Sequence, residues 1–331
     1  MVSKAVLFAP ADRDLALMPV GNRPLLLHAL DELVDAGVDQ VAVVSEPEVA
    51  REVEDSLHGW ASGDCHTAHL TVDETCGFVD AVKEAADWLG PEQFVVHLGD
   101  SLRHDRLADS IAEPPGGAYD VVALAEAPCA GVAPVGAGLC SLQTAGIYVF
   151  GPGVLELALE QQAATRWEHQ IAAAADQLTA AGGQVQVRFV HDWWRYRQRP
   201  DILLQANRFF LSGLKPAPTT AALVNVELQG PVVIDPSARL RSTTVRGPVV
   251  IGPDVELADA YVGPYTCVGR GVTIENAEVE HSIILPGASI QHLGGRLEGS
   301  IIGPGARVFR DFRLPRALRL NVGEGAEIAL S

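Results

Sequence analysis
Lysine is nearly absent: Lys4, Lys83 and Lys215 are the only three in 331 residues. Positive charge as a whole is short, with Lys and Arg numbering 24 against 42 Asp and Glu, a formal charge of -18. That balance argues against nucleic acid or an anionic membrane as the main partner. No apolar run reaches the roughly 18 residues a membrane helix needs. The opening stretch, Met1-Val2-Ser3-Lys4-Ala5-Val6-Leu7-Phe8, reads as a first β-strand and is too short for a signal peptide. Five cysteines (Cys65, Cys76, Cys129, Cys140, Cys267) show no Cys-x-x-Cys spacing. They read as reduced thiols of a cytoplasmic protein. Hydrophobic residues make up 48% and charged ones 20%, which excludes disorder. The length suits two domains.

What is abundant is a repeat in the C-terminal third. Ile251-Gly252-Pro253, Val262-Gly263-Pro264, Val268-Gly269-Arg270 and Ile302-Gly303-Pro304 share one grammar, an aliphatic residue followed by a corner residue. Aliphatic anchors recur at Ile234, Leu240, Val245, Ile251, Leu257, Val262, Val268, Ile274, Val279, Ile284 and Ile290, in steps of six or five. A period near six predicts a left-handed parallel β-helix, with anchors inward and small residues at the corners of a triangular coil. Such rungs bury a core only by stacking. A β-sandwich is the alternative, but its strands alternate with period two and lack the repeated corner.

Upstream, apolar strands alternate with helices. Strands are expected at Lys4 to Phe8, Val41 to Val44, His69 to Val72, Phe94 to Asp100 with a polar tip, Val121 to Ala125 and Ala145 to Phe150, and Val185 to Val190 leads into Asp192-Trp193-Trp194. Helices are expected over Leu25 to Ala36, Glu48 to Leu57, Gly77 to Leu89, Val154 to Gln162, His169 to Ala181 and Ile202 to Leu211. Pro24 is placed to open the first and Gly37 to end it. The fold class is therefore α/β, a doubly wound, mostly parallel sheet, followed by the left-handed β-helix. The expected division is a domain over 1–212, a linker over 213–223, and a β-helix with a tail over 224–331. Ligands of such sheets bind beyond the carboxyl ends of the strands. That points to the turn after Phe8 and to Gly99-Asp100.

In that setting several stretches resemble one family. Met18-Pro19-Val20-Gly21-Asn22-Arg23-Pro24 looks like an L-x-P-V-x-N-K-P segment, and Leu98-Gly99-Asp100 like an L-G-D-N tip. Ala145-Gly146-Ile147-Tyr148-Val149-Phe150 resembles a G-x-Y-x-F strand. Asp192-Trp193-Trp194 and Leu203-Leu204-Gln205-Ala206-Asn207-Arg208 resemble a G-W-W-x-D-T-G segment and an L-L-x-A-N-R helix. Tyr261 to Thr266 and Glu278 to Ser282 look like rungs of its long members. The family is the sugar-1-phosphate nucleotidyltransferases, most nearly the long type of glucose-1-phosphate thymidylyltransferase. The resemblance covers nearly the whole chain. It implies attack of a sugar 1-phosphate on the α-phosphorus of a nucleoside triphosphate, with pyrophosphate leaving. Catalysis there is positioning and charge neutralisation by magnesium, basic side chains and loop N–H groups.

The resemblance also locates departures. Where a Gly-rich G-G-x-G-T-R-L loop is expected stands Ala9-Pro10-Ala11-Asp12-Arg13-Asp14-Leu15. It has no glycine, Pro10 lacks an N–H, and Asp12 and Asp14 would repel a triphosphate. Arg13 is either a remnant of the loop arginine or a solvated turn residue. The family lysine falls on Leu15, and the base-reading glutamine on Val72, an apolar strand residue. Gly77 is kept. Asp100 matches a magnesium aspartate or, equally, caps a turn, while the second metal aspartate falls on Tyr196. The E-K-P sugar segment is missing between Ala125 and Leu142. The sugar-site glutamate falls on Gln170, with Glu168 an alternative, and exposure on a helix turn is the favoured reading for both.

The resemblance thus implies Ala9, Gly77 and Asp100 on the nucleotide side, Gly146, Glu168 and Gln170 on the sugar side, Arg13 as a catalytic candidate, and Asp100 as a ligand for Mg2+ if the chain is active. Because the departures fall on independent parts of the site, the first reading is a homologue with little or no activity. It would be a regulatory or structural subunit binding a nucleotide or nucleotide sugar. Its β-helix would join copies of itself or an active paralogous subunit. The second reading is a working nucleotidyltransferase in which Arg13, Arg23 or the Arg195/Arg197 pair replaces lysine. The third is an acyltransferase with His281 as base. It ranks last, because His281 belongs to the resembling rungs themselves.

Overall fold
The computed structural model describes residues 2–9, 17, 19–60, 65–72, 78–90, 92–112, 120–126, 144–151, 167–180, 182–195 and 202–312. The helix expected over 154–162 lies outside them.

The N-terminal strands are β1 (Lys4–Phe8), β2 (Pro19–Val20), β3 (Arg23–Pro24), β4 (Gln40–Ser45), β5 (His66–Thr71), β6 (Phe94–His97), β7 (Ser101–Arg103), β8 (Val121–Glu126), β9 (Thr144–Phe150), β10 (Val185–Val190) and β11 (Trp193–Arg195). Seven of them form one sheet in the order β10-β8-β9-β6-β1-β4-β5. Only β9 runs antiparallel to its neighbours, β6 and β8. The strand sequences read as nearly continuous apolar runs because both faces are covered. Alternation divides them: Ala5, Leu7, Val41, Val43 and Val95 enter one core, whereas Val6, Phe8, Ala42, Val44, Phe94 and Val96 enter the other.

Helices α1 (Leu25–Asp35), α2 (Ala50–His58) and α4 (Leu107–Ile111) supply the first core, and α3 (Phe78–Leu89) and α5 (Trp167–Ala180) the second. Helix α1 starts directly after Pro24, and Gly37 at φ +91° ends it. The Gly37 N–H donates to Val34 O and the Val38 N–H to Leu33 O, the paired bonds of a Schellman stop. Helix α6 (Ile202–Ser212) builds a third small core, in which Ile202 and Ala206 meet Val20, Leu25 and Leu102.

The rest is a left-handed β-helix. Strands from Ala222–Val224 to Arg307–Phe309 form three parallel sheets of six, five and five strands. All eleven sequence-assigned anchors, from Ile234 to Ile290, are buried in its core. Leu240 pairs with Leu257 and Leu257 with Ile274, a coil of seventeen residues. Three hexads would need eighteen, and one corner is tighter. Asn225, Ser242, Asp259, Asn276 and His292 stack there with φ between +47° and +55°. Asn and Asp tolerate that left-handed turn better than most residues.

The coil docks on the α/β unit through amide side chains. Asn207 Oδ1 accepts the Gly21 N–H at 3.1 Å and the Cys267 thiol at 2.9 Å. Its Nδ2 donates to Tyr265 O at 3.3 Å, and Asn22 Nδ2 donates to Val268 O at 2.7 Å. Burial there pushes the Cys267 thiol up to about 12. Cys65 and Cys267 are free thiols, as expected for reduced cysteines.

Candidate functional site
Strands β1 and β6 are parallel neighbours, so Ala9 and the Gly99-Asp100 tip share the carboxyl edge of the sheet. Strand β9 runs back beside β6, His97 pairing with Ile147, which brings Gly146 to the same edge. The Leu98 N–H donates to Gly146 O at 2.9 Å and fixes that alignment. His97 is fully buried, and its Nδ1 accepts the Gly99 N–H at 2.8 Å. The proton of a neutral ring then lies on Nε2, which faces Glu32 of α1 at 3.5 Å. The turn is thereby held from behind before Asp100 makes any contact of its own.

Asp100 is met by Arg195. The β7–β11 ladder sets Arg195 opposite Ser101, the residue after Asp100. Its Nε lies 3.1 Å from Asp100 Oδ1 and 3.0 Å from Oδ2, and Nη2 lies 2.9 Å from Oδ2. Nη1 donates to Thr144 O at 3.0 Å, and Thr144 Oγ1 lies 2.8 Å from the Tyr148 hydroxyl. The two charged side chains are only 10% and 15% exposed, so this is a partly desolvated, bidentate pair. Gly146 makes room for it. A Cβ at that position would lie 2.9 Å from Asp100 Oδ1 and 3.2 Å from Arg195 Nε, and its φ is +74°.

Asp100 and Gly146 of the sequence candidates therefore meet directly, while Ala9, at the end of β1, is fixed by its own N–H, which donates to Val44 O at 2.7 Å. Arg13 and Gly77 lie outside the described residues, as does the side chain of Glu168. Gln170 corrects an expectation. It is 8% exposed rather than solvated, because it precedes Ile171 on the buried face of α5. Val72 is buried in the second core, in keeping with its apolar reading. Arg23, a candidate substitute for lysine, pairs with Asp31 of α1 at 2.6 Å. Sequence reasoning named Arg195 but not its pairing with Asp100. The available signal was its place directly after two tryptophans in a short strand.

Comparison with known proteins now decides the family. A family profile described as "Nucleotidyl transferase" matches residues 12–114. The "Low-salt glycan biosynthesis nucleotidyltransferase Agl11" of Haloferax volcanii is 30% identical over 334 residues, 95% of this chain and 93% of that protein. The chain belongs to the sugar-1-phosphate nucleotidyltransferase family. Two proteins named "Glucose-1-phosphate thymidylyltransferase", from Streptomyces griseus and Streptomyces antibioticus, are 27% and 26% identical, each over 95% of this chain and 93% of the relative. No helix among the described residues is long and apolar enough to cross a membrane.

Family membership raises the question of magnesium at Asp100. Both carboxylate oxygens already accept hydrogen bonds from Arg195. A cation there would compete with a fixed guanidinium, and position 196 supplies a tyrosine where a second carboxylate is expected. Hard cations need several oxygen ligands. The arrangement at Asp100 does not fit a magnesium site.

Proposed function
We propose that this nucleotidyltransferase homologue has little or no transfer activity and serves as a regulatory or structural subunit in nucleotide-sugar metabolism. The observation that carries the reading is the Asp100–Arg195 pair, a guanidinium held where the family resemblance expects a metal. The transfer needs positive charge at the α-phosphate, and removing one such stabilising contact typically costs about 3 kcal/mol in the transition state. Leu15 and Tyr196 remove two of the expected contacts at once. A nucleotide or nucleotide sugar would lie along Ala9, Gly77, Asp100 and Gly146, with Gln170 or Glu168 near the sugar. The units over 1–212 and 224–331 would act as domains of a cytoplasmic protein, the second joining copies of the chain or an active paralogous subunit.

The test is pyrophosphate release by the full chain with nucleoside triphosphates, thymidine triphosphate first, and sugar 1-phosphates in magnesium. The expected result is release no faster than in a protein-free control. Melting temperatures with the same panel report binding separately, since a ligand of the folded state raises them. The second reading, an active enzyme using arginine, is favoured by one observation: the Arg195 guanidinium lies at the strand tips beside Gly146. It requires release that disappears in Arg195→Ala. Magnesium belongs to that reading alone and would arrive with the triphosphate.

A further inference from the structure
We infer that the β-helix carries a divalent-metal site formed by Glu280, His281 and Glu298, remote in role from the strand-tip site. One ligand atom from each of these side chains lies within 4.8 Å of the other two. The set arises from coil stacking. Glu280 and Glu298 are register partners on successive rungs, so two carboxylates sit directly above one another. Like charges opposed in a ladder destabilise it unless a cation intervenes. Arg296 supplies part of that charge, its Nη1 lying 3.1 Å from Glu280 Oε2 while Nη2 lies 3.1 Å from Glu278. A carboxylate has a second oxygen, so Arg296 and a metal can share Glu280.

Two further observations point to a ligand. His281 Nδ1 is buried, with no hydrogen-bond partner among the described residues, although a buried ring nitrogen ordinarily has one. One rung below, the register position is Gly263, whose Cβ would lie 2.5 Å from Glu280 Cβ and 2.7 Å from Glu280 Oε2. The glycine leaves Glu280 its place. His281 itself occupies a corner at φ +48°, and its ring stacks on that of Tyr265 with centroids 5.3 Å apart. Two carboxylates with one imidazole suit Zn2+ or a similar first-row ion better than magnesium, which prefers oxygen alone. The metal would tie two rungs together. Whether the strand-tip site transfers nucleotides does not bear on this inference.

The test uses the full chain stripped by a chelator and titrated calorimetrically with Zn2+, with melting temperatures recorded in parallel. Expected are one site per chain and a zinc-dependent rise in melting temperature. Glu298→Gln alters an exposed residue and His281→Asn keeps a residue tolerant of positive φ. Each should weaken Zn2+ binding more than about tenfold, since even outer partners of metal ligands are worth that much. If His281→Asn melts lower than the natural chain in chelator, Glu298→Gln decides. No binding by the natural chain, or an affinity unchanged in Glu298→Gln, overturns the inference.

Discussion

The two parts of the molecule place their side chains by different rules. In the β-helix, each inward position repeats the one a coil earlier, and Leu240, Leu257, Ile274 and Ile290 are interchangeable layers of one core. At the sheet edge nothing repeats. Asp100, Thr144, Gly146 and Arg195 come from three separate stretches and meet once. A repeat spreads stability over many similar contacts, whereas the edge concentrates it in one charged cluster. Damage should therefore be graded and predictable in the coil, and steep and coupled at the edge.

Arg195→Ala is the strongest way to test that contrast. It removes the bidentate partner of a carboxylate that is 15% exposed. Breaking such a pair from one side costs about 4 kcal/mol, because a desolvated charge is left behind. Denaturant unfolding should show the loss. The double variant Asp100→Ala with Arg195→Ala should lose less than the sum of the two single changes. Additive losses would mean that the pair is not the unit described here.

The same contrast explains what the sequence could disclose. The coil was legible because its signal is local: an aliphatic residue, a corner, and a fixed step to the next anchor. Even so, the shortening of eighteen to seventeen residues showed only as occasional steps of five, and its cause lies in corner residues such as Asp259 and Asn276 adopting positive φ. The sheet was legible from its doubly buried strands. Helix α1 was bounded by Pro24 and Gly37, both of which act through backbone geometry. The Asp100–Arg195 pair was not legible, because it depends on the register of β11 against β7, between residues 95 apart in the chain. Gln170 was misjudged for a related reason. A polar residue on a helix reads as solvated until the helix's neighbours are known, and here α5 lies on the sheet.

Ile274→Ala sharpens the coil half of the comparison. Ile274 is fully buried, and truncation there should cost about 3 kcal/mol through lost burial and a cavity. Ile290→Ala, in the same layer position, should cost the same within about 1 kcal/mol. Leu228, near the start of the coil, is 40% exposed, and its change to alanine should cost clearly less. A strong difference between Ile274 and Ile290 in urea unfolding would show that coil position matters more than repetition.

Gly146→Ala probes the edge more gently. Its φ of +74° alone strains an alanine, and the new Cβ meets Asp100 Oδ1 at 2.9 Å. Together these should cost about 2 kcal/mol. Part of the cost should vanish in an Asp100→Ala background, where the clashing oxygen is gone. An undiminished cost would assign the whole effect to backbone strain.

The smallest effect concerns acid. The Nε2–H of His28 of α1 donates to Val20 O, 2.8 Å away, and its ring centroid lies 4.6 Å from that of Phe210 of α6. Burial holds its pKa below the ordinary 6.5, outweighing the carbonyl contact that pulls the other way; Arg23 adds to the lowering and Asp31 opposes it. The folded state thus resists protonation while the unfolded chain does not. Stability should be level above about pH 6.5 and should fall as pH drops below it, until the folded state also takes up the proton. His69, likewise lowered by burial, contributes in the same window from the β5 edge of the sheet. Melting temperatures followed from pH 7.5 to 5.5 should therefore decline less in His28→Gln than in the natural chain, and less again when His69→Gln is added. A slope untouched by both changes would mean that neither His28 nor His69 is the acid-sensitive group.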